Sequence, residues 1–224
     1  MKRLLYLLVA STVIISCKKD EIKTSSLTSL TVGNFVVGGA TVKLGSNATT
    51  VANNNTNGSQ LALRAGVNDI YVWPVGDSLH PYFTASKFET KDREVYSLFL
   101  CGTPGTTEGI MIKEDIPYRT DSTAGIRFIN LSPTSTPLNI TMSTSPTVNE
   151  VTGLAYKQYT EFKSYPGLYN SAYTFQVRKA DGTLLTSFAF NSGTVPRFAN
   201  VTLVIRGQMT GTPAIAVTRI NQDR

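Results

Sequence analysis

Enzymes of the common hydrolytic kinds would find few working side chains in these 224 residues. His80 is the only histidine, so a Ser-His-acid triad would have to be built on it. It sits in Gly76-Asp77-Ser78-Leu79-His80-Pro81, a turn-rich stretch that predicts a surface hairpin loop. No G-x-S-x-G elbow occurs anywhere. Zinc needs three or four His, Cys or carboxylate ligands, and the cysteines are only Cys17 and Cys101. Asp69, Asp77, Asp92, Asp115 and Asp181 fall near expected strand ends and turns. None forms a D-x-D-x-D series, so turn chemistry accounts for them better than calcium does. Glycoside hydrolysis needs two carboxylates on facing strands. Glu89, Asp92 and Glu94 share one segment, but Lys91 and Arg93 interleave with them, as on a solvated edge. Gly38-Gly39 reads as a turn between strands, not as a phosphate loop before a helix. The expectation is a non-enzymatic chain with no cofactor and no metal.

Aromatic side chains are the remaining candidates for recognition. Tyr156, Tyr159, Tyr165 and Tyr169 fall within 14 residues, with Phe162 among them. On a sandwich rim they would stack against sugar rings or bury in a partner protein. Inside the fold they would fill the core and seal its ends.

Residues 1–16 carry an address. Lys2 and Arg3 precede an apolar run from Leu4 to Ile15, interrupted by Ser11 and Thr12. The run is shorter than the roughly 20 apolar residues that span a bilayer. Its basic, apolar and small-residue order is that of a secretory signal peptide. Ile14-Ile15-Ser16-Cys17 resembles the lipobox of bacterial lipoproteins. That resemblance implies cleavage before Cys17 and lipidation of its sulfur and new amine, hence a membrane partner held through acyl chains. Lys19, Asp20 and Glu21 lie in the tether, residues 17–26. A lysine followed by two acids just after the lipid cysteine resembles the export signal that carries Bacteroidetes lipoproteins to the cell surface. The expected location is the outer membrane, lipid-anchored and facing the exterior.

Composition narrows the remainder. Removing residues 1–16 leaves 208 residues, enough for one large β domain or two of about 100 residues. Hydrophobic content of 41% with 16% charged residues describes a folded globular chain. The net charge of +6 becomes +4 without Lys2 and Arg3, 19 basic against 15 acidic residues. No Lys or Arg run marks a nucleic-acid footprint. With Cys17 lipidated, Cys101 has no partner, so no disulfide framework supports the fold.

Short alternating apolar runs between Gly, Pro, Asn and Asp clusters predict an all-β chain. The runs recur at a period of about 100 residues, as in a duplicated domain. Leu98-Phe99-Leu100-Cys101-Gly102 matches Leu203-Val204-Ile205-Arg206-Gly207, and Ile110-Met111-Ile112 matches Ile215-Ala216-Val217. Tyr71-Val72-Trp73 matches Phe175-Gln176-Val177, and Leu30-Thr31-Val32 matches Ile126-Arg127-Phe128. The reading is two tandem immunoglobulin-like β-sandwiches, residues 27–117 and 125–224, joined by a polar linker at 118–124. Strands are expected in the second at 125–130, 138–142, 157–162, 172–179, 184–190, 198–207 and 214–220. Alternation places Phe175, Val177, Val201, Leu203 and Ile205 inward. By the repeat, Tyr71, Trp73, Tyr96, Leu98 and Leu100 are expected inward, and Phe99 and Cys101 outward. Trp73, the only tryptophan, is thereby expected to plug the first core.

Gly125-Ile126-Arg127-Phe128-Ile129-Asn130-Leu131-Ser132-Pro133, followed by Pro137-Leu138-Asn139-Ile140, resembles the opening of the domain of unknown function numbered 4397. Tyr165-Pro166-Gly167 and Val201 to Gly207 agree with it. The resemblance covers about residues 122–221 closely and 27–116 loosely. It implies a lipoprotein-borne β-sandwich and supplies no catalytic residue. Thr134 replaces the usual acid after the first proline, and the first half lacks the Asn-x-x-Pro signature. Asp77-Ser78-Leu79 and Asp121-Ser122-Thr123 resemble the Bacteroidetes O-glycosylation motif, which marks Ser78 and Ser122. The function expected is a membrane-anchored binding or scaffolding module for adhesion, glycan capture or envelope-protein assembly. An accessory carbohydrate-active hydrolase and a structural spacer are the alternatives.

Overall fold

The computed structural model describes residues 25–45, 48–58 and 60–222. The expected signal peptide, Cys17, Lys19, Asp20 and Glu21 lie outside the described residues. Every regular element among those described is a β-strand.

The first half contributes β1 (Leu27–Asn34), β2 (Val42–Leu44), β3 (Thr50–Val51), β4 (Asn55–Thr56), β5 (Leu61–Arg64), β6 (Gly66–Pro74), β7 (Phe83–Thr90), β8 (Val95–Thr103) and β9 (Thr106–Lys113). The second contributes β10 (Thr123–Asn130), β11 (Leu138–Met142), β12 (Ser145–Leu154), β13 (Lys163–Pro166), β14 (Tyr173–Arg178), β15 (Leu184–Phe190), β16 (Ala199–Arg206) and β17 (Ala216–Asn221).

Each half is a sandwich of two sheets with the same plan. In the second, β13-β10-β16-β17 packs on β12-β11-β14-β15. In the first, β1-β8-β9, with β4 and β5 on the free side of β1, packs on β3-β2-β6-β7. In both, the opening strand runs parallel to a late one: Val32 lies opposite Leu98, and Phe128 opposite Leu203. Gly102 and Gly207 repeat the likeness at one site, with φ of 86° and 87°. A Cβ there would lie 2.2 Å from the Thr106 carbonyl oxygen and 2.3 Å from that of Ala214, so both turns require glycine.

Two cores follow the alternation. Leu30, Val32, Val42, Val72, Leu98 and Leu100 are buried in the first sandwich. Ile126, Phe128, Ile140, Phe175, Val177 and Leu203 are buried in the second. There Phe175 packs edge-on against Phe128 and Tyr165, with centroids 5.2 and 5.3 Å apart.

A third cluster joins the halves. Phe35, Phe99, Cys101 and Ile112 of the first meet Ile129, Leu131, Val204 and Ile220 of the second. These residues leave the opposite sheet face from each private core, so the inner sheets are covered on both sides. The Phe99 and Cys101 side chains do turn away from their own core, as alternation requires, but they pack against the other half rather than facing solvent. Arg127 extends from β10 and bonds Glu114 at 2.6 Å, with side chains 4% and 0% exposed. Its Nε donates to Thr202 Oγ1, and its guanidinium lies 4.6 Å from the Phe162 ring.

These contacts fix the relative sense of the sandwiches. Glu114, bonded to the Val95 carbonyl at the start of β8, meets Arg127. Tyr156 and Lys157, beside Asn130 at the end of β10, meet Glu108, which pairs with Cys101 near the end of β8. β1, β8, β10 and β16 therefore run in the same general sense, and their starts lie at one end of the molecule.

The strands at 138–142 and 184–190 fall where the sequence predicts them. β12 does not: it is an exposed edge strand with repeated register shifts, and so lacks a period-two signal. Residues 157–162, expected as a strand, form only an isolated bridge between Tyr159 and Ile129.

Tyr71 and Trp73 require a correction. The inward side chains of β6 are Ile70, Val72 and Pro74, and the two aromatics face away from the core, half-buried. The turns show why. Asp77 N donates to the Pro74 carbonyl, and Gly182 N to the Lys179 carbonyl. The halves thus align with Val72 on Val177, an offset of 105 residues, where the sequence match used 104. One residue of slip along a strand exchanges its two faces.

Candidate functional site

The outer face of the first sandwich is built on β6. Ile70, Val72 and Pro74 fill the core, so the alternate positions Asp69, Tyr71 and Trp73 face outward. The Tyr71 and Trp73 rings stand 5.4 Å apart, centroid to centroid, at an interplanar angle of 51°. β2 places Lys43 directly beside Trp73, and β7 places Thr84 beside Tyr71. Thr50 follows beyond Lys43 on β3. The Tyr71 hydroxyl donates to the Ser78 carbonyl at 2.6 Å, which fixes its ring against the loop after β6. Asp69 Oδ1 accepts from the Lys87 amide. The result is a tilted aromatic pair on a sheet face, flanked by an amine, a carboxylate and two hydroxyls. Rings of this kind offer apolar faces to C–H groups, and the polar flank exchanges hydrogen bonds. The residues that point here are those the sequence match turned inward. A signal was present: beside Tyr71 and Trp73 their phase of the strand carries Asp69, whereas Ile70, Val72 and Pro74 on the other phase are an unbroken apolar series.

The four tyrosines proposed as a platform are not brought together. Tyr165 is 4% exposed, lies in the second core and cannot offer its face to a ligand. Its place on β13 beside Ala124 turns it inward. Tyr156 lies between the halves, where its hydroxyl donates to Glu108 at 2.8 Å and lies 3.3 Å from Cys101 Sγ. Tyr159 stands 5.8 Å from the Arg127 guanidinium. Tyr169 is exposed in the loop after β13. Ser78 is exposed and Ser122 half-buried, in the β6–β7 loop and the linker respectively.

The ionisable groups elsewhere are held structurally. Hydrogen bonds from Lys113 and Tyr96 pull the Glu94 carboxyl down to about 2. The Tyr156 hydroxyl lowers Glu108, and Lys163 lowers Glu150. Carboxylates so stabilised as anions are the reverse of a general acid, which needs a raised affinity for its proton. Burial pushes the Cys101 thiol up to about 11. His80 is exposed and sits 2.9 Å from Asp77 in its loop. No group of three or more His, Cys, Asp or Glu side chains that could hold a metal occurs among the described residues.

No family model matches the chain, and no curated protein matches it. A search of solved structures returns a carbohydrate-binding module of family 26 from Eubacterium rectale Amy13K, in complex with maltoheptaose. It is 8% identical, with 88% of this chain and 98% of that one covered, at a TM-score of 0.28.

Proposed function

We propose that this chain is a lipid-anchored outer-membrane protein, exported to the cell exterior through Lys19, Asp20 and Glu21, that captures glycans without acting on them. Cys17 is its lipidation site, and its family is the one whose opening motif Gly125 to Pro133 resembles. The observation that supports glycan capture is the outward Tyr71–Trp73 pair flanked by Lys43, Asp69 and Thr84. A sugar ring places its C–H face on an aromatic ring and its hydroxyls against the polar flank.

Calorimetric titration of the chain against a panel of soluble oligosaccharides tests the binding claim. Saturable binding should be lost in Tyr71→Ala/Trp73→Ala while thermal unfolding of the variant stays cooperative. No binding across neutral, acidic and amino-sugar oligosaccharides would refute it and leave a spacer. The anchor is tested separately by palmitate labelling of Cys17→Ser, which should carry no label. Export is tested by protease treatment of intact cells bearing Lys19→Ala/Asp20→Ala/Glu21→Ala, which should be protected.

A further inference from the structure

Three loops at the strand-start end of the second sandwich expose large apolar side chains together. Tyr118 in the linker is 78% exposed, Leu168 and Tyr169 after β13 are 60% and 74%, and Phe198 before β16 is 54%. The loops are in contact. A Cβ on Gly167 would lie 2.1 Å from the Ser122 carbonyl oxygen and 3.0 Å from that of Pro196. The Tyr169 carbonyl accepts from Ser192 Oγ and the Gly193 amide. Tyr118 and Phe198 line one recess of about 210 Å³. Phe198 is held at a φ of 55°, a left-handed backbone that a bulky residue adopts only when its surroundings impose it. An exposed aromatic on a strained backbone contributes nothing to the core, so burial does not account for it.

The position of the rim on the molecule indicates what covers it. β10 and β16 start at this end, and so do β1 and β8. The chain enters β1 here, where the Ala65 amide bonds the Ser26 carbonyl and Asp92 bonds the Leu27 amide. Leu27 and Val67 add exposed apolar surface beside it. Ser25 is eight Cα-to-Cα steps from Cys17, so even a fully extended tether reaches no more than about 29 Å. Arg197 stands 5.7 Å from the Phe198 ring, and Lys91 and Arg93 are exposed on the neighbouring sandwich. Asp92, paired with Arg93 at 3.6 Å, and Asp121, which accepts from Thr123 in the linker, are exposed acids at this end. Tyrosine, phenylalanine and leucine backed by arginine are the side chains that settle at the boundary between headgroups and acyl chains.

We infer that the rim of Tyr118, Leu168, Tyr169 and Phe198 rests in the headgroup layer of the membrane that holds the Cys17 lipid. This rests on the lipidation reading above. The anchor and the rim are two attachments at one end, and two attachments orient the molecule where one would let it swing. The Tyr71–Trp73 face then stands on the side of the molecule rather than against the bilayer.

The test supplies the anchor chemically, so that it does not depend on lipidation in cells. The chain beginning at Cys17 is coupled through that thiol to maleimide lipid in phosphatidylethanolamine–phosphatidylglycerol vesicles; buried, protonated Cys101 does not compete. In a Trp73→Phe background, Phe198→Trp and separately Tyr169→Trp report on the rim, and Leu79→Trp reports on the opposite end. Dibrominated lipid should quench both rim reporters several-fold more than Leu79→Trp, and their emission should shift to the blue on coupling. Equal quenching at both ends, or none at the rim, overturns the proposal. A rim shift that occurs without vesicles and grows with protein concentration would assign the surface to a second copy and also overturn it. Missing palmitate label in cells would sink the lipidation reading alone.

Discussion

The outer sheets of the two sandwiches share a strand order and differ in what they present. On β14 the outward positions are Thr174, Gln176 and Arg178, and the arginine is fully engaged within its own sheet. Its Nη2 donates to Gln176 at 2.6 Å, its Nη1 to the Gly182 carbonyl at 2.6 Å and its Nε to Thr141 at 3.2 Å. On β6 the equivalent positions hold Tyr71 and Trp73, two rings packed on each other with polar groups at their edges. The inward residues at the same level, Val72 and Val177, are both fully buried valines. The two halves share the positions that make the sandwich and differ in those that face out, so the scaffold is common and the outer faces are not.

The largest effects should come from the conserved inward side of that comparison. Phe175→Ala in the second core should cost about 3–5 kcal/mol, and Ile70→Ala, at the aligned position of the first, about 2–5 kcal/mol. Urea unfolding of both variants measures this. Arg127→Ala leaves the Glu114 carboxylate buried without its partner, a change worth about 3–5 kcal/mol in comparable pairs. It should also split one unfolding transition into two, because it breaks the contact between halves. A single transition in that variant would mean that the apolar cluster around Phe99 and Val204 couples them unaided.

Smaller effects separate the outer faces. Trp73→Ala should cost about 1–2 kcal/mol, less than a core aromatic because the half-buried ring lies on the outer sheet face, and yet abolish oligosaccharide binding. Arg178→Ala should cost a similar amount, about 1 kcal/mol for lost hydrogen bonds, and leave binding untouched. Calorimetry on the two variants decides between them. The least effect concerns Glu94 and Lys113 on the first inner sheet. The Glu94 carboxyl ionises at about 2 when folded against an ordinary 4.5. A depressed carboxyl adds stability above its ordinary value and loses it as pH falls through the folded one. The melting-temperature gap between the parent and Glu94→Gln should therefore be open at neutral pH and close as pH drops from about 4.5 towards 2. A gap constant with pH would show that the Lys113 contact contributes nothing.

The all-β architecture and the duplication were legible because alternation and glycine placement repeat at Leu98 to Gly102 and Leu203 to Gly207. The facing of β6 was not, because an approximate repeat tolerates a one-residue slip that reverses every side chain. The shared cluster was half-legible. Leu98-Phe99-Leu100-Cys101 and Leu203-Val204-Ile205 are continuous apolar runs, the mark of strands covered on both faces. Alternation within one half places Phe99 and Cys101 outward and does not reveal that the other half covers them. Arg127 hid better, since a lone arginine between Ile126 and Phe128 reads as a solvated position until Glu114 and Phe162 are placed against it. Tyr156, Tyr159, Tyr165 and Tyr169 are close in sequence but fall on a turn between the halves, an isolated bridge, a core strand and a loop. Nearness along an irregular segment says little about sharing a surface.

Iodide quenching of Trp73, the only tryptophan, tests the outward glycan-binding face most directly. Iodide should quench the indole of the free chain readily, and a saturating oligosaccharide should protect it. Emission typical of a buried indole with resistance to iodide in the free chain, or easy quenching unchanged by every oligosaccharide, would contradict the account.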